Sequence, residues 1–220
     1  MKVLIRMRWD IPWHDADGRD RFAYRASEDF QRSRWGIFTR YTLPSLRRQT
    51  HDDWECLLFA DPALKAHHQT PPDQRVRWAY GGLTRDVEER TEDVYFMRMD
   101  SDDMLAPESM AMLVRLAPQV PRLYTQLDHG CAYDPIADCA YWWDNPSPPF
   151  YGRLWSGRDG SLPEFGHHVA DREQAATLKT PRFAFCVLLH GGNISNQPDR
   201  SWCKPATIQQ GLEAREVFRL

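Results

Sequence analysis

Apolar runs alternate with helix-like segments in the first half of the chain. Val3 to Ile5 with Met7 predicts a short buried strand, and continuous apolar stretches predict strands over 54–60, 75–80 and 94–99. Ser27 is a predicted N-cap, and the helix that it starts is predicted to kink or restart at Pro44. Apolar strands that alternate with helices are typical of a parallel sheet covered on both faces. The pattern predicts an α/β fold with a mostly parallel central sheet flanked by helices.

The pattern changes after residue 120. Short aromatic segments over 123–127, 139–143 and 150–155 are separated by clusters of Pro and Gly, and a last apolar strand over 183–189 precedes a short helix over 208–218. We therefore predict a mixed, aromatic-rich C-terminal half. Most of its rings are expected to be core, although aromatic faces also stack well on sugars.

The composition narrows the class of protein. A chain of 220 residues has the length of one domain, and its net charge of -3 comes from 28 basic and 31 acidic residues that are well mixed. Nucleic acid is therefore not an expected partner. Five cysteines without a C-x-x-C spacing predict neither a disulfide framework nor a zinc site, which favours the reducing cytoplasm. We expect no signal peptide and no membrane span, because no apolar stretch approaches about 20 residues.

The most informative feature is an acidic cluster, Asp100, Asp102 and Asp103, directly after the strand predicted over 94–99. If strand geometry persists, Asp100 and Asp102 face the same way and Asp103 faces the other. Mg²⁺ and Mn²⁺ usually take one or two protein carboxylates and fill their remaining positions with water and phosphates. A D-x-D at the carboxyl end of a strand therefore predicts a site for a nucleoside diphosphate and a cation. The alternative is that Ser101, Asp102 and Asp103 are merely turn residues and helix-cap residues for the segment 107–116.

Several ordered blocks of residues resemble one family. The match extends over about residues 5 to 196. It consists of Arg34, Phe38, the segments 43–46, 49–50, 59–61 and 98–103, Gly166 to His168, and the segment 190–196. The chain resembles the bacterial rhamnosyltransferase family, a branch of GT-A glycosyltransferases related to family 2. The resemblance implies one GT-A domain over 1–220, with a Rossmann-like nucleotide-binding half over 1–104 and an acceptor-side half with the C-terminal tail over 105–220.

The resemblance also implies roles for individual residues. Asp61 is expected near the donor base, and Asp102 at the cation. Asp100 is expected near the ribose or the metal, and Asp103 near the donor sugar. His190 is the expected third contact to the metal or the pyrophosphate. Arg8, Arg98 and Asn193 are further candidates for donor binding. The donor would be a nucleoside diphosphate sugar and the cofactor Mn²⁺ or Mg²⁺, although the family name is a weak guide to the sugar.

Two departures from related patterns are visible. The Asp-Asp-Gly-Ser sequence of family 2 is absent after the second strand, where Asp61 supplies a single carboxylate. Gln31 to Trp35 spells the Q-x-x-R-W of processive synthases, but it precedes the acidic cluster, so we interpret it as coincidence.

The predicted reaction is a metal-assisted, inverting sugar transfer to a hydroxyl group, which requires a base. Glu164 is the candidate on position alone, with Asp159 and Asp171 as alternatives. A phosphotransferase that uses D-x-D as nucleophile and acid is less favoured, because no phosphate loop follows. A non-catalytic nucleotide-sugar or carbohydrate-binding protein on the same fold is the remaining alternative.

Overall fold

The computed structural model describes residues 1–9, 25–80, 92–121, 123–143, 150–156, 175–190 and 203–220. These residues form two mixed β-sheets with helices packed on them, an α/β architecture. Several residues named from the sequence lie outside the described residues: the candidates Asp159, Glu164, Asp171 and Asn193, and the pair His167 and His168.

The larger sheet has seven strands in the order β10-β6-β9-β4-β1-β2-β3. Their bounds are β1 Lys2–Arg8, β2 Trp54–Ala60, β3 Val76–Tyr80, β4 Asp93–Asp100, β6 Thr125–Leu127, β9 Tyr151–Ser156 and β10 Ala176–Leu178. Strands β1 to β4 run parallel, as the apolar pattern predicted, but β9 pairs antiparallel with both β4 and β6. The sheet is therefore mixed, and the prediction of a mostly parallel sheet was too simple.

Three helical segments follow one another between β1 and β2: α1 Glu28–Ile37, a π-helical turn Phe38–Thr42, and α2 Leu43–Arg47. The Ser27 hydroxyl accepts a hydrogen bond from the Phe30 N–H, which confirms the predicted N-cap. Pro44 lies in the first turn of α2, where its missing N–H costs nothing, so the predicted restart at this proline is confirmed. A 3₁₀ helix Pro62–His67 follows β2.

The smaller sheet has five strands in the order β12-β8-β7-β11-β5. The bounds are β5 Met104–Leu105, β7 Gly130–Asp134, β8 Cys139–Trp143, β11 Phe185–Leu188 and β12 Cys203–Pro205. Helix α3 Ser109–Leu116, a 3₁₀ turn Ala117–Gln119 and helix α4 Ile208–Phe218 complete the described elements. The predicted C-terminal helix is confirmed.

The main core lies between one face of the larger sheet, the helices α1 to α3 and the smaller sheet. Burial of apolar side chains from all of these elements stabilises their arrangement, at roughly 25 cal/mol per Å² of apolar surface removed from water. Representative members are Ile5, Phe38, Met97, Leu113 and Phe185, each fully buried. Helix α4 packs on the outer face of the smaller sheet through Ala214 and Phe218. Within the described part of the chain, no helix is long and apolar enough to cross a membrane.

Candidate functional site

The acidic cluster lies at the topological switch point of the larger sheet. From β1 the chain proceeds outward to β2 and β3, then returns to place β4 on the other side of β1. Arg8 at the end of β1 pairs in register with Asp100 at the end of β4. In open α/β sheets, ligands bind beyond the carboxyl ends of the strands at this point.

Asp100 is held by an arginine of its own strand. Nη2 of Arg98 donates to both carboxylate oxygens of Asp100, at 2.9 and 3.0 Å, and Arg98 is almost fully buried. Burial lowers the pKa of Arg8, and the neighbouring Asp100 carboxylate opposes that shift. Asp100 therefore lies between cationic groups at the rim of the sheet.

Asp102 contacts different residues from those that hold Asp100. Strand β4 ends at Asp100 and a turn follows, so the alternation of a strand does not extend to Asp102. Oδ2 of Asp102 lies 2.8 Å from Nε2 of His190 and accepts a hydrogen bond from Nη1 of Arg34 at 3.2 Å. The prediction that Asp100 and Asp102 face one cation together is therefore not met, because the turn gives each carboxylate its own partners.

The surroundings shift the pKa values of Asp102 and Asp103 in opposite directions. Burial raises the pKa of Asp102, but Arg34 and His190 outweigh burial and lower that pKa to about 2. Burial, reinforced by the Asp102 and Asp100 carboxylates, raises the pKa of Asp103 well above its usual value. Asp103 is only 1% exposed, and its Oδ1 accepts the Leu188 N–H at 3.3 Å. Asp102 is thus suited to act as an anion, whereas Asp103 is a buried acid that ties the turn to β11.

Ser101 fixes this turn to the helical segment and to β1. Its hydroxyl accepts Nε–H of Arg34 at 2.8 Å and donates to the Arg8 carbonyl at 3.3 Å. The Thr42 hydroxyl donates to the Ser101 carbonyl at 3.1 Å. Because both partners of each bond are held by packed elements, the Asp102 carboxylate has a defined position.

The alternative that this cluster caps a helix is wrong. Helix α3 has Glu108 at its N-cap position, with no side-chain capping bond. Ser101, Asp102 and Asp103 precede β5, which pairs with β11 in the smaller sheet. The turn therefore links the two sheets and does not begin the helix.

Asp102 and His190 suit a divalent ion. A carboxylate oxygen and an imidazole nitrogen that converge at 2.8 Å are donors that Mn²⁺ accepts. Among the described residues, no group of three or more His, Cys, Asp or Glu side chains is arranged to hold a metal ion. A cation at Asp102 would have to replace the hydrogen bonds of Arg34 and His190 to its Oδ2, as a cation at Asp100 would have to replace those of Arg98. Coordination of a metal by these residues therefore stays a prediction.

The remaining predicted residue, Asp61, lies at the carboxyl end of β2. Its Oδ1 accepts the Ala63 N–H at 2.8 Å and caps the 3₁₀ helix Pro62–His67. This cap accounts for an aspartate before Pro62, and the expected contact with a donor base stays a prediction.

The contacts of helix α1 with this site were not predicted from the sequence. Gln31, Arg34 and Trp35 recur at helical spacing, so one face of α1 is turned towards the ends of β1 and β4. Gln31 accepts the indole N–H of Trp9 at 2.8 Å, and Arg34 contacts Asp102. Trp35 packs edge-on against Trp9, with ring centroids 5.9 Å apart. The i, i+3, i+4 spacing of polar and aromatic residues was the signal that could have found this face.

An aromatic group extends the site along the sheet edge. Trp78 packs edge-on against Trp9 and stacks on His68, whose ring centroid lies 4.2 Å away. His68 also approaches the Tyr80 hydroxyl at 3.1 Å. The carboxyl ends of β1 and β3 thus carry flat apolar side chains beside the charged turn.

Comparisons with known proteins add no family to this geometry. No protein-family model matches the chain, and no match is found among curated proteins.

Proposed function

We propose that this protein is a metal-dependent glycosyltransferase of the GT-A type, which transfers a sugar from a nucleoside diphosphate sugar to a hydroxyl group of a glycan or small acceptor. The observation that carries the proposal is the buried Asp102 carboxylate at the switch point, in contact with both Arg34 and His190. The resemblance of the sequence blocks to rhamnosyltransferases favours rhamnose as the first sugar to try. We further propose that the reaction takes place in the cytoplasm.

The strand order supports a nucleotide-binding half. Parallel strands in the order β3-β2-β1-β4 form half of a doubly wound sheet, the arrangement in which nucleotides bind at the β1 and β4 ends. Arg8 is a cation at that edge, close to Asp100, and arginine suits the recognition of phosphate oxygens. Trp78, a half-buried aromatic side chain that packs on the core residue Trp9, suits a planar or apolar part of a donor.

Each polar residue of the turn has a proposed part in the reaction. A divalent ion held by Asp102 and His190 would neutralise charge that develops on the departing diphosphate. Arg34 keeps Asp102 ionised and oriented. Asp103, whose pKa is raised by burial and by the neighbouring carboxylates, has a structural part through its bond to the Leu188 N–H. Glu164 stays the candidate base for the acceptor hydroxyl.

Release of nucleoside diphosphate from UDP-, GDP- and dTDP-sugars, measured with and without Mn²⁺, tests this proposal. We expect turnover with Mn²⁺, and a loss of about 100-fold in Asp102→Asn, because an uncharged amide is a poor ligand and a poor partner for Arg34. Asp52→Asn is the matched control, since Asp52 is exposed, and it should retain the wild-type rate. Equal rates in Asp102→Asn and wild type would overturn the proposal.

The same geometry also suits a protein that binds a nucleotide sugar without transferring it. The described residues supply Asp102, His190 and Arg34 for binding, whereas the candidate base rests on position alone. Binding of a nucleoside diphosphate sugar that depends on Asp102, together with no release of the diphosphate from any donor, would favour this second function.

A further inference from the structure

A cavity lies beside the helical segment, at the end of α4. Its volume is about 500 Å³, within the range of small-molecule sites. The walls come from the π-helical turn and α2, from β7, and from the residues that end α4. Asp102, His190 and Arg34 are not among the residues that line it, so this cavity is distinct from the candidate site.

Arginines converge on this cavity without carboxylate partners. Arg40, Arg48 and Arg219 line it, and none of the three forms an ion pair with any described residue. A fourth arginine, Arg47, is instead engaged by Asp73 at 2.9 Å. In a chain with a net charge of -3, unneutralised cations that share one cavity mark a place where a counter-charge is favourable.

Arg48 is held so that its guanidinium stays at the cavity. Its Nη2 donates to the Phe218 carbonyl at 3.0 Å, and its Nε is buried with no hydrogen-bond partner among the described residues. Burial lowers the pKa of Arg48, and the positive charge of Arg219 lowers it further. A partly buried guanidinium beside a second cation is unfavourable, and an anion in the cavity would offset that positive charge.

Asp138, which contacts the wall residue Tyr133, does not supply the missing charge. The Tyr133 hydroxyl donates to Oδ1 of Asp138 at 2.6 Å, and Arg215 pairs with the same carboxylate at 2.8 Å. Asp138 is thus already neutralised by a residue outside the cavity. The three cavity arginines keep their charge available for a ligand.

Apolar and aromatic surface completes the walls. Tyr41, Tyr133, Phe218 and Pro44 line the cavity beside the arginines, and the guanidinium of Arg40 lies 5.1 Å from the ring centroid of Tyr41. Ligand sites commonly combine such surface with a few polar groups that orient the ligand. The walls therefore suit an anion that carries an organic group, more than an inorganic ion.

We propose that this cavity binds an organic phosphate, with the phosphate on Arg40, Arg48 and Arg219 and the organic group against Tyr41 and Tyr133. Three cations exceed what a single carboxylate needs, whereas a phosphate monoester carries close to two negative charges and accepts forked hydrogen bonds from arginine. The proposal does not depend on the glycosyltransferase proposal, because it uses different residues.

Titration calorimetry with phenyl phosphate, inorganic phosphate and phenol tests this inference on the full chain. We expect phenyl phosphate to bind more tightly than inorganic phosphate, which lacks the ring, and phenol, which lacks the charge, not to bind measurably. In Arg40→Gln and Arg48→Gln the affinity for phenyl phosphate should fall about tenfold or more, which is about 1.4 kcal/mol. Arg115→Gln, an exposed arginine of α3, should leave it unchanged, as should Asp102→Asn.

The Arg40 side chain is exposed and forms no hydrogen bond with any described residue, so Arg40→Gln keeps the fold even if Arg48→Gln does not. Vesicles that contain phosphatidic acid distinguish the source of the phosphate. Binding of both the vesicles and phenyl phosphate, each weakened by Arg40→Gln, supports the site with a lipid headgroup as ligand, whereas binding of phenyl phosphate alone supports it with a free compound. Absent binding of both probes, or equal affinities in wild type and Arg40→Gln, would overturn the inference.

Discussion

Arg34 holds the acidic turn against helix α1. It reaches Asp102 and the Ser101 hydroxyl from a different element, and its side chain is only 14% exposed. The helical spacing of Gln31, Arg34 and Trp35 could have placed Arg34 on this face of the helix, but it could not have revealed which strand end the face meets. The pairing of Arg34 with Asp102 spans 68 positions and is a tertiary contact.

We expect Arg34→Gln to lower the free energy of unfolding by about 1–3 kcal/mol, because Asp102 would stay buried without its arginine partner. Urea unfolding at neutral pH measures this change. Arg32→Gln is the matched control on the same helix. Arg32 is 67% exposed and, among the described residues, pairs with Glu28 and Asp29 alone, so its loss should change stability by less than about 0.5 kcal/mol. Equal effects of the two substitutions would contradict the role of Arg34.

Asp73 gives the fold a pH dependence away from the site. Hydrogen bonds from Arg75 are the main reason that its pKa is lowered, and Arg47 adds to the shift. A carboxyl group whose pKa is lower in the folded state contributes stability above its unfolded pKa of about 3.9, and that contribution is lost as the pH falls below it. Both arginines are partly exposed, so solvent screening keeps the contribution near about 1 kcal/mol.

Asp73→Asn should therefore be less stable than wild type by about 1 kcal/mol at pH 7, and the difference should shrink progressively below about pH 4. Urea unfolding at a series of pH values tests this expectation. A difference that stays constant down to pH 2 would mean that the charge of Asp73 does not stabilise the folded chain.

At the scale of elements, the apolar content of a strand decided whether that strand could be predicted from the sequence. Strands β1, β2 and β4 are buried on both faces, so their continuous apolar runs were visible, and the structure confirms all three. Strand β7 was missed because it starts at Gly130 and gains its stability from pairing with β8 and β11, which local sequence does not encode. The end of β4 was placed correctly, but the turn that separates Asp100 from Asp102 depends on contacts with Thr42 and Arg34.

We expect substitution of glycine by alanine to have opposite effects on stability at two positions in different elements. A Cβ on Gly152 of β9 would lie 2.5 Å from the Phe96 carbonyl oxygen and 2.9 Å from the Tyr95 ring, so Gly152→Ala should destabilise the chain by about 1–3 kcal/mol. A Cβ on Gly36 of α1 would meet nothing within 4 Å, so Gly36→Ala should stabilise it by about 0.5–1 kcal/mol. Thermal unfolding of both variants checks the signs, and stabilisation by Gly152→Ala would contradict the close packing of β9 on β4.

At the scale of the whole molecule, the acidic turn is where the two sheets meet. Asp100 ends β4 of the larger sheet, and Met104 begins β5 of the smaller one, so the intervening residues belong to neither. Asp103 and His190 connect the turn to β11, and Arg34 connects it to α1. A ligand bound at Asp102 would therefore contact a junction of three packed elements and should stabilise the chain as a unit.

Thermal unfolding with nucleoside diphosphates should reveal this coupling. A ligand that binds only the folded chain adds about 2.7 kcal/mol at 100 times its dissociation constant, which corresponds to a rise of about 5–10 °C in Tm for a chain of this size. We expect such a rise with UDP, GDP or dTDP in the presence of Mn²⁺, a smaller one without Mn²⁺, and none in Asp102→Asn. Arg40→Gln serves as the control, because its cavity is separate from the turn, and it should respond like wild type. A rise of the same size in Asp102→Asn would place the nucleotide elsewhere on the molecule.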